Sequence, residues 1–224
     1  MCIRDRARTI LRPMFQAVLS AVELSRYLSV RSVQHVREIR EHGENMQTPD
    51  MIVRPGEGDK LLQFLRSWFT SSVCDYLKIC DPFFGPDSLD FLPILSSVCP
   101  TCNVQILTSV KHQNQSKVQR PWEEAYRQHW RIHVSDQYPP DTDIVVVGTI
   151  SSGESPIHDR WWITAGGGLR WGTSYNGAAV SKTSDISVMS AESARIHELE
   201  IDQYLQKSRR EHAGERLQYS SFSL

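Results

Sequence analysis

The stretch from Tyr76 to Ser109 constrains the fold of this chain more than any other. "YLKICDPFFG" is a short apolar run ended by Pro82 and Gly85, "DSLDFLPILSSV" has helical spacing with Pro93 near its first turn, and "NVQILTS" is a second apolar run. Such runs, bounded by turn residues, read as buried strands, and a helix carrying the chain back onto the same sheet makes the two strands parallel. Parallel strands need cover on both faces. The fold class expected is therefore α/β, a mixed sheet flanked by helices.

The rest of the chain extends that unit. Asp59 is expected to cap a helix whose inner face is Leu62, Leu65 and Phe69. "RPWEEAYRQHW" predicts a helix from Pro121, "RIHVSD" a strand and "DIVVVGT" another. After a polar loop from Ser151 to Pro156, "RWWIT" and "LRWGT" read as strands around a turn at Ala165 to Gly168, "DISVM" as a further strand, and "AESARIHELEIDQYLQ" as a closing helix. The domain is thus placed at residues 59–207, and the polar, basic residues 208–224 are expected to form a flexible tail.

Upstream, residues 7–42 keep a rough helical period at Leu11, Phe15, Val18, Val22, Leu28, Val33 and Val36, so a helical segment is expected there. Residues 43–58, with Gly43, Pro49, Pro55, Gly56 and Gly58, read as a linker. The first six residues, Met-Cys-Ile-Arg-Asp-Arg, read as the translation of a transposase adaptor from sequencing. The natural start is then expected to be missing, leaving room for a fused or partner domain.

Composition narrows the function classes. With 25 basic against 26 acidic side chains and a formal charge of -1, no global field draws the chain to DNA or an anionic membrane, so any anion site must be local. No apolar run of about 18 residues and no cleavable leader is visible, and the protein reads as cytoplasmic, with peripheral attachment to a membrane left open. Five irregularly spaced cysteines suggest reduced thiols. Cys99-Pro-Thr-Cys102 has zinc-knuckle spacing, but Cys80 should lie at the opposite edge of the parallel sheet, so no metal and no cofactor are expected.

Chemistry concentrates in "HDRWWITAGGGLRWGTSYNG", His158 to Gly177. On a strand, His158 and Arg160 share a face and can aim an imidazole and a guanidinium at one point. Arginine offers a planar fork to phosphate oxygens, histidine can attack phosphorus or carry a proton, Ser174 and Asn176 can add neutral donors, and Gly172 lets backbone approach closely. Taken singly, these residues also read as a core histidine, an exposed His-Asp-Arg ion-pair cluster and a tight turn. The combination is what points to a site. Gly166-Gly167-Gly168 lacks the Lys-Ser/Thr of a phosphate loop and reads as a turn. Trp161, Trp162 and Trp171 can stack on bases or enter a membrane interface, though alternating strand faces favour core packing for at least one of the first pair; Lys111, Lys117, Arg120 and Arg127 can form a basic rim but read as solvated surface, and His197, Glu198 and Glu200 as surface or packing groups.

The spacing resembles the signature of the phospholipase D superfamily, His-x-Lys-x4-Asp followed by Gly-Ser and an asparagine. His158 matches the histidine, Arg160 stands at the lysine, Ala165 at the aspartate, Gly172 at the glycine and Thr173 at the serine, and Asn176 falls one place beyond the asparagine. Asp81-Pro82-Phe83, Leu107-Thr108-Ser109 and Ile157-His158-Asp159-Arg160 occur in the order seen in the C-terminal phospholipase D-like domain of MIT-domain proteins and its prokaryotic relatives. That resemblance, over about residues 59–207, implies a phospholipase D-like fold, a homodimer and a phosphate-bearing ligand, either an acidic phospholipid or nucleic acid. It implies a phosphate site of Arg160, Gly172, Thr173, Ser174 and Asn176, with Asp81 and Asp159 as accessory groups.

Catalysis in that superfamily uses two histidines from two motif copies, and this chain has one copy. Arginine for lysine keeps the charge but changes its shape, and Ala165 removes a carboxylate. The motif is therefore expected to bind phosphate with its catalytic part degenerate. The alternative is a homodimeric, metal-independent phosphodiesterase or nuclease in which each subunit supplies one His158 as nucleophile.

Overall fold

In the computed structural model, which describes residues 50–73 and 75–224, nine strands form one sheet in the order β1-β7-β6-β5-β2-β3-β4-β9-β8. They are β1 (Met51–Val53), β2 (Tyr76–Cys80), β3 (Asn103–Ser109), β4 (Thr142–Thr149), β5 (Trp161–Thr164), β6 (Gly167–Trp171), β7 (Ser184–Met189), β8 (Glu211–His212) and β9 (Glu215–Ser223). The segments placed by sequence at residues 1–42, and the linker up to residue 49, lie outside the described residues, as does Cys74.

The three central strands, β2, β3 and β4, are parallel, and the neighbours on both sides run antiparallel. Helix α1 (Gly58–Ser72), α2 (Leu92–Val98), α3 (Val110–Gln115), α4 (Trp122–His129) and α5 (Ala191–Leu205) cover the sheet. One face packs Leu77, Ile79, Val104, Ile106, Ile144 and Val146 against the side chains of α1, α2 and α4. The other packs Cys80, Leu107, Val145, Val147 and Ile163 against Ala194, Ile201 and Tyr204 of α5. Both faces of the central strands are therefore covered, as their apolar-rich sequences require. Lys78 of β2 adds a polar tie to α5, donating to Glu198 at 2.8 Å and Asp202 at 2.7 Å.

Local rules explain most elements. Pro93 sits in the first turn of α2, where its missing N–H costs nothing. Gly167 turns the β5–β6 hairpin at φ +152°, and a Cβ there would meet Met189 O at 2.8 Å. In α1 the buried residues are Leu61, Leu65, Trp68 and Phe69, spaced by four, three and one, so Leu62 faces outward instead of inward. The cap is Glu57 rather than Asp59, which lies in the first turn.

Three expectations are corrected. The "RIHVSD" segment is not a strand: Trp130–Val134 continues α4 as a π-turn, because β4 pairs directly with β3 and β9 and leaves no strand neighbour for it. Residues 208–224 are not a frayed tail, since β9 pairs with β4 from Leu217 to Ser223 and buries Leu217. The stretch read as linker contains β1, which pairs with β7 and buries Val53 completely. The sheet thus extends beyond residues 59–207 on both sides. Among the described residues, no helix is long and apolar enough to cross a membrane.

Candidate functional site

Sheet register assembles the site. Cys80 pairs with Trp161 and Trp161 with Arg170, so the residue after β2, the residue before β5 and the turn after β6 meet at one edge. These are Asp81, Arg160 and the segment Gly172 to Asn176. The Trp171 N–H donates to Arg160 O at 3.0 Å, which closes the ladder one step beyond β5.

Asp81 is the hub. It is buried, and its carboxylate accepts from Phe83 N–H at 2.8 Å and from the Ser174 hydroxyl at 2.8 Å. Burial pushes its pKa up, against the downward pull of the Phe83 N–H, the Ser174 hydroxyl and the Arg160 charge. Ser174 passes the contact on by accepting from Arg160 Nε at 3.0 Å. Arg160 Nε stands 3.9 Å from Asp81 Oδ1, and its guanidinium lies over the Phe83 ring at 4.9 Å. Nε is therefore held, while Nη1 and Nη2 have no hydrogen-bond partner among the described residues. A guanidinium fixed through Nε and one face presents its remaining fork without first paying to order itself.

His158 is treated differently. Its side chain is 97% exposed, and its Nδ1 lies 3.9 Å from Asp159 Oδ1. Both precede β5, which begins at Trp161, so the pair is not carried on a strand as expected. The reason is register: β2 stops at Cys80, opposite Trp161, and offers His158 no backbone to pair with. Asp159 contributes its carbonyl, which accepts from the Cys80 thiol at 3.6 Å, and its half-exposed carboxylate does not enter the Asp81 network.

The remaining residues divide. Thr173 is buried and donates its backbone N–H to Ser184 Oγ at 3.3 Å. Gly172 donates to Asp185 O at 2.8 Å, and a Cβ there would come to 3.3 Å from the Asp185 backbone, so the close approach that it permits is to β7. Asn176 reaches the other way and donates to Asp87 at 3.2 Å. Trp161, Trp162 and Trp171 are all buried. Lys111 pairs with Glu154, Arg127 with Glu123 at 2.7 Å, and Arg120 lies over Trp122 at 4.5 Å, so these cations do not converge. Among the described residues, no three His, Cys, Asp or Glu side chains are grouped to hold a metal ion.

The sequence did not single out Phe83 as a site residue. It is 41% exposed and held in place by the Leu107-Thr108-Ser109 segment. Thr108 donates to Phe84 O at 2.9 Å and Ser109 to Pro82 O at 2.7 Å, while Gln113 and the Tyr126 hydroxyl also donate to Phe84 O at 2.8 and 3.1 Å. Two hydroxyl residues closing an apolar strand were the available signal that the strand end shapes a loop.

No family model matches the chain, and no curated protein matches it. Among solved structures it is similar to phosphatidylserine synthase of Haemophilus influenzae Rd KW20, at 12% identity and TM-score 0.45 over 76% of this chain and 41% of that one. It is also similar to TrmBL2, an archaeal chromatin protein whose structure shows a novel mode of DNA binding, at 7% identity and TM-score 0.40 over 83% of this chain and 64% of that one. The chain therefore spans less than two thirds of either protein's length. Likenesses of this degree assign neither family nor activity.

Proposed function

We propose that the domain is a phospholipase D-like module that binds a phosphate-bearing ligand through Arg160, with a degenerate catalytic motif. The observation that carries this reading is the Asp81–Ser174–Arg160 chain, which anchors the guanidinium through Nε and leaves its terminal nitrogens for ligand oxygens. A charge-assisted bond of this kind contributes about 1.5 to 3 kcal/mol. Hydrolysis asks for more: a nucleophile held in line, an acid for the leaving group and a stabilised transition state. His158 lies outside the Asp81 network, and among the described residues no group beyond Asp159 stands against its ring.

The same exposure favours one alternative. An imidazole free in solvent is available to a second copy, so a homodimer joining two His158 side chains would give a metal-independent phosphodiesterase. One set of measurements separates the two. Arg160→Ala is expected to weaken binding of anionic vesicles or single-stranded nucleic acid about tenfold or more, and His158→Ala to change it less than about twofold. The binding reading fails if Arg160→Ala has no effect. The enzyme reading prevails if phosphodiester cleavage occurs with chelator present and disappears in His158→Ala, and sedimentation should then show a species of twice the chain mass.

A further inference from the structure

On the His112 side of the Phe83 ring lies a concavity of about 470 Å³, walled by the turn after β2, by α3, and by α4 with its π-turn. Its walls carry the imidazoles of His112, His129 and His133 and the amides of Gln119 and Gln128. Among the described lining residues none is lysine or arginine, and Asp87 supplies a carboxylate. Burial holds the His112 and His129 imidazoles below their ordinary pKa.

Phe83 joins this cleft to the phosphate site. Arg160 lies over its ring at 4.9 Å, and the His112 ring stands steeply inclined to it at 70°, with centroids 5.6 Å apart, while Phe83 keeps 41% of its surface exposed. Asn176, from the turn after β6, donates to Asp87 on the cleft wall at 3.2 Å. A ligand whose phosphate rests on Arg160 thus continues past a partly exposed aromatic ring into a pocket of amides and imidazoles.

That lining selects among phosphate ligands. An acyl chain there would meet the aliphatic walls of Pro86, Val118, Ala125 and Ile132 but would also strip water from the amides and imidazoles without returning hydrogen bonds. A second phosphate would meet Asp87 with no fixed cation to offset it. A nucleobase offers a π-face to Phe83 and both donors and acceptors to glutamine and histidine. On the reading that Arg160 binds phosphate, we infer that the ligand is single-stranded nucleic acid, with one base on Phe83 and its polar edge in the His112–Gln128 cleft.

The test uses the full chain and three probes: a single-stranded DNA oligonucleotide, an abasic oligomer of equal length and charge, and phosphatidylserine vesicles, followed by fluorescence anisotropy and co-sedimentation. The oligonucleotide is expected to bind about fivefold or more tighter than the abasic oligomer, as the loss of one stacked base implies. Phe83→Ala should remove that advantage. Because Phe83 also touches Arg160, Gln128→Ala and Gln119→Ala serve as second variants away from the guanidinium, and they should reduce the advantage while leaving abasic binding unchanged. Equal binding of the two oligomers, or insensitivity to all three variants, overturns the inference. So does vesicle binding that exceeds oligonucleotide binding. Arg160→Ala weakening the abasic oligomer while the base-dependent arm fails would sink this inference alone, whereas no effect of Arg160→Ala on any probe would sink the phosphate site beneath it.

Discussion

Arg160 and His158 stand two residues apart, and the fold gives them opposite surroundings. Arg160 is tied to Ser174 and backed by the buried Asp81 and the Phe83 ring, with a side chain only 20% exposed, whereas the His158 imidazole is 97% exposed. Both belong to the same sequence motif, yet only the guanidinium is pre-positioned. Fixing a charged fork in advance saves ordering entropy on binding, while a solvent-mobile imidazole must be ordered by something else before it can act in line. On the proposed reading, one motif keeps its binding half and loosens its chemical half.

The contrast breaks most completely at Asp81. Asp81→Ala should destabilise the domain by about 2 to 3 kcal/mol, because the buried Ser174 hydroxyl and the partly buried Phe83 N–H lose their acceptor. Denaturant unfolding measures this, and a loss under about 1 kcal/mol would show that the site is not organised through Asp81. Arg160→Lys sharpens the comparison further: the charge stays but the fork and the Nε contact to Ser174 go, so ligand affinity should fall several-fold with melting temperature little changed. Full affinity in the lysine variant would mean that charge alone suffices.

A smaller effect separates the two halves by pH. Burial raises the Asp81 pKa above its unfolded value, so the folded state holds this proton more tightly than the unfolded chain. Between the unfolded pKa of about 3.9 and the raised folded value, Asp81 therefore adds stability as pH falls and loses it as pH rises. Asp81→Asn should flatten that slope, and a His158→Ala control should leave it intact. An unchanged slope in Asp81→Asn would assign it to other groups.

Much of this was legible in the sequence where burial is two-sided. Leu77 and Ile79 of β2, and Val104, Ile106 and Leu107 of β3, announce themselves because central parallel strands are apolar-rich under two covering layers, with the polar Lys78 tied to α5. The β1 and β9 strands stayed hidden for the converse reason. β9 puts Leu217 and Tyr219 toward one core and Phe222 toward the other, with serines between, so neither face shows an apolar run and backbone pairing carries it. In the site, Arg160 and Ser174 were nameable from spacing. That Asp81 is the hub, that Phe83 backs the guanidinium, and that Asn176 turns away to Asp87 depend on how β2, β5 and β6 line up, which no local pattern encodes.

The pairing of β9 with β4 also sets a schedule. During synthesis, β4 leaves the ribosome complete while the strand that will cover its outer side, Leu217 to Ser223, has not been made. At the usual rates of translation, several seconds pass in which a strand of nearly unbroken valine and isoleucine has one unpaired flank. Such a flank templates pairing with any extended chain nearby. The last strand of the sheet to be made is thus the natural point at which nascent chains of this protein either close their own sheet or stick to one another.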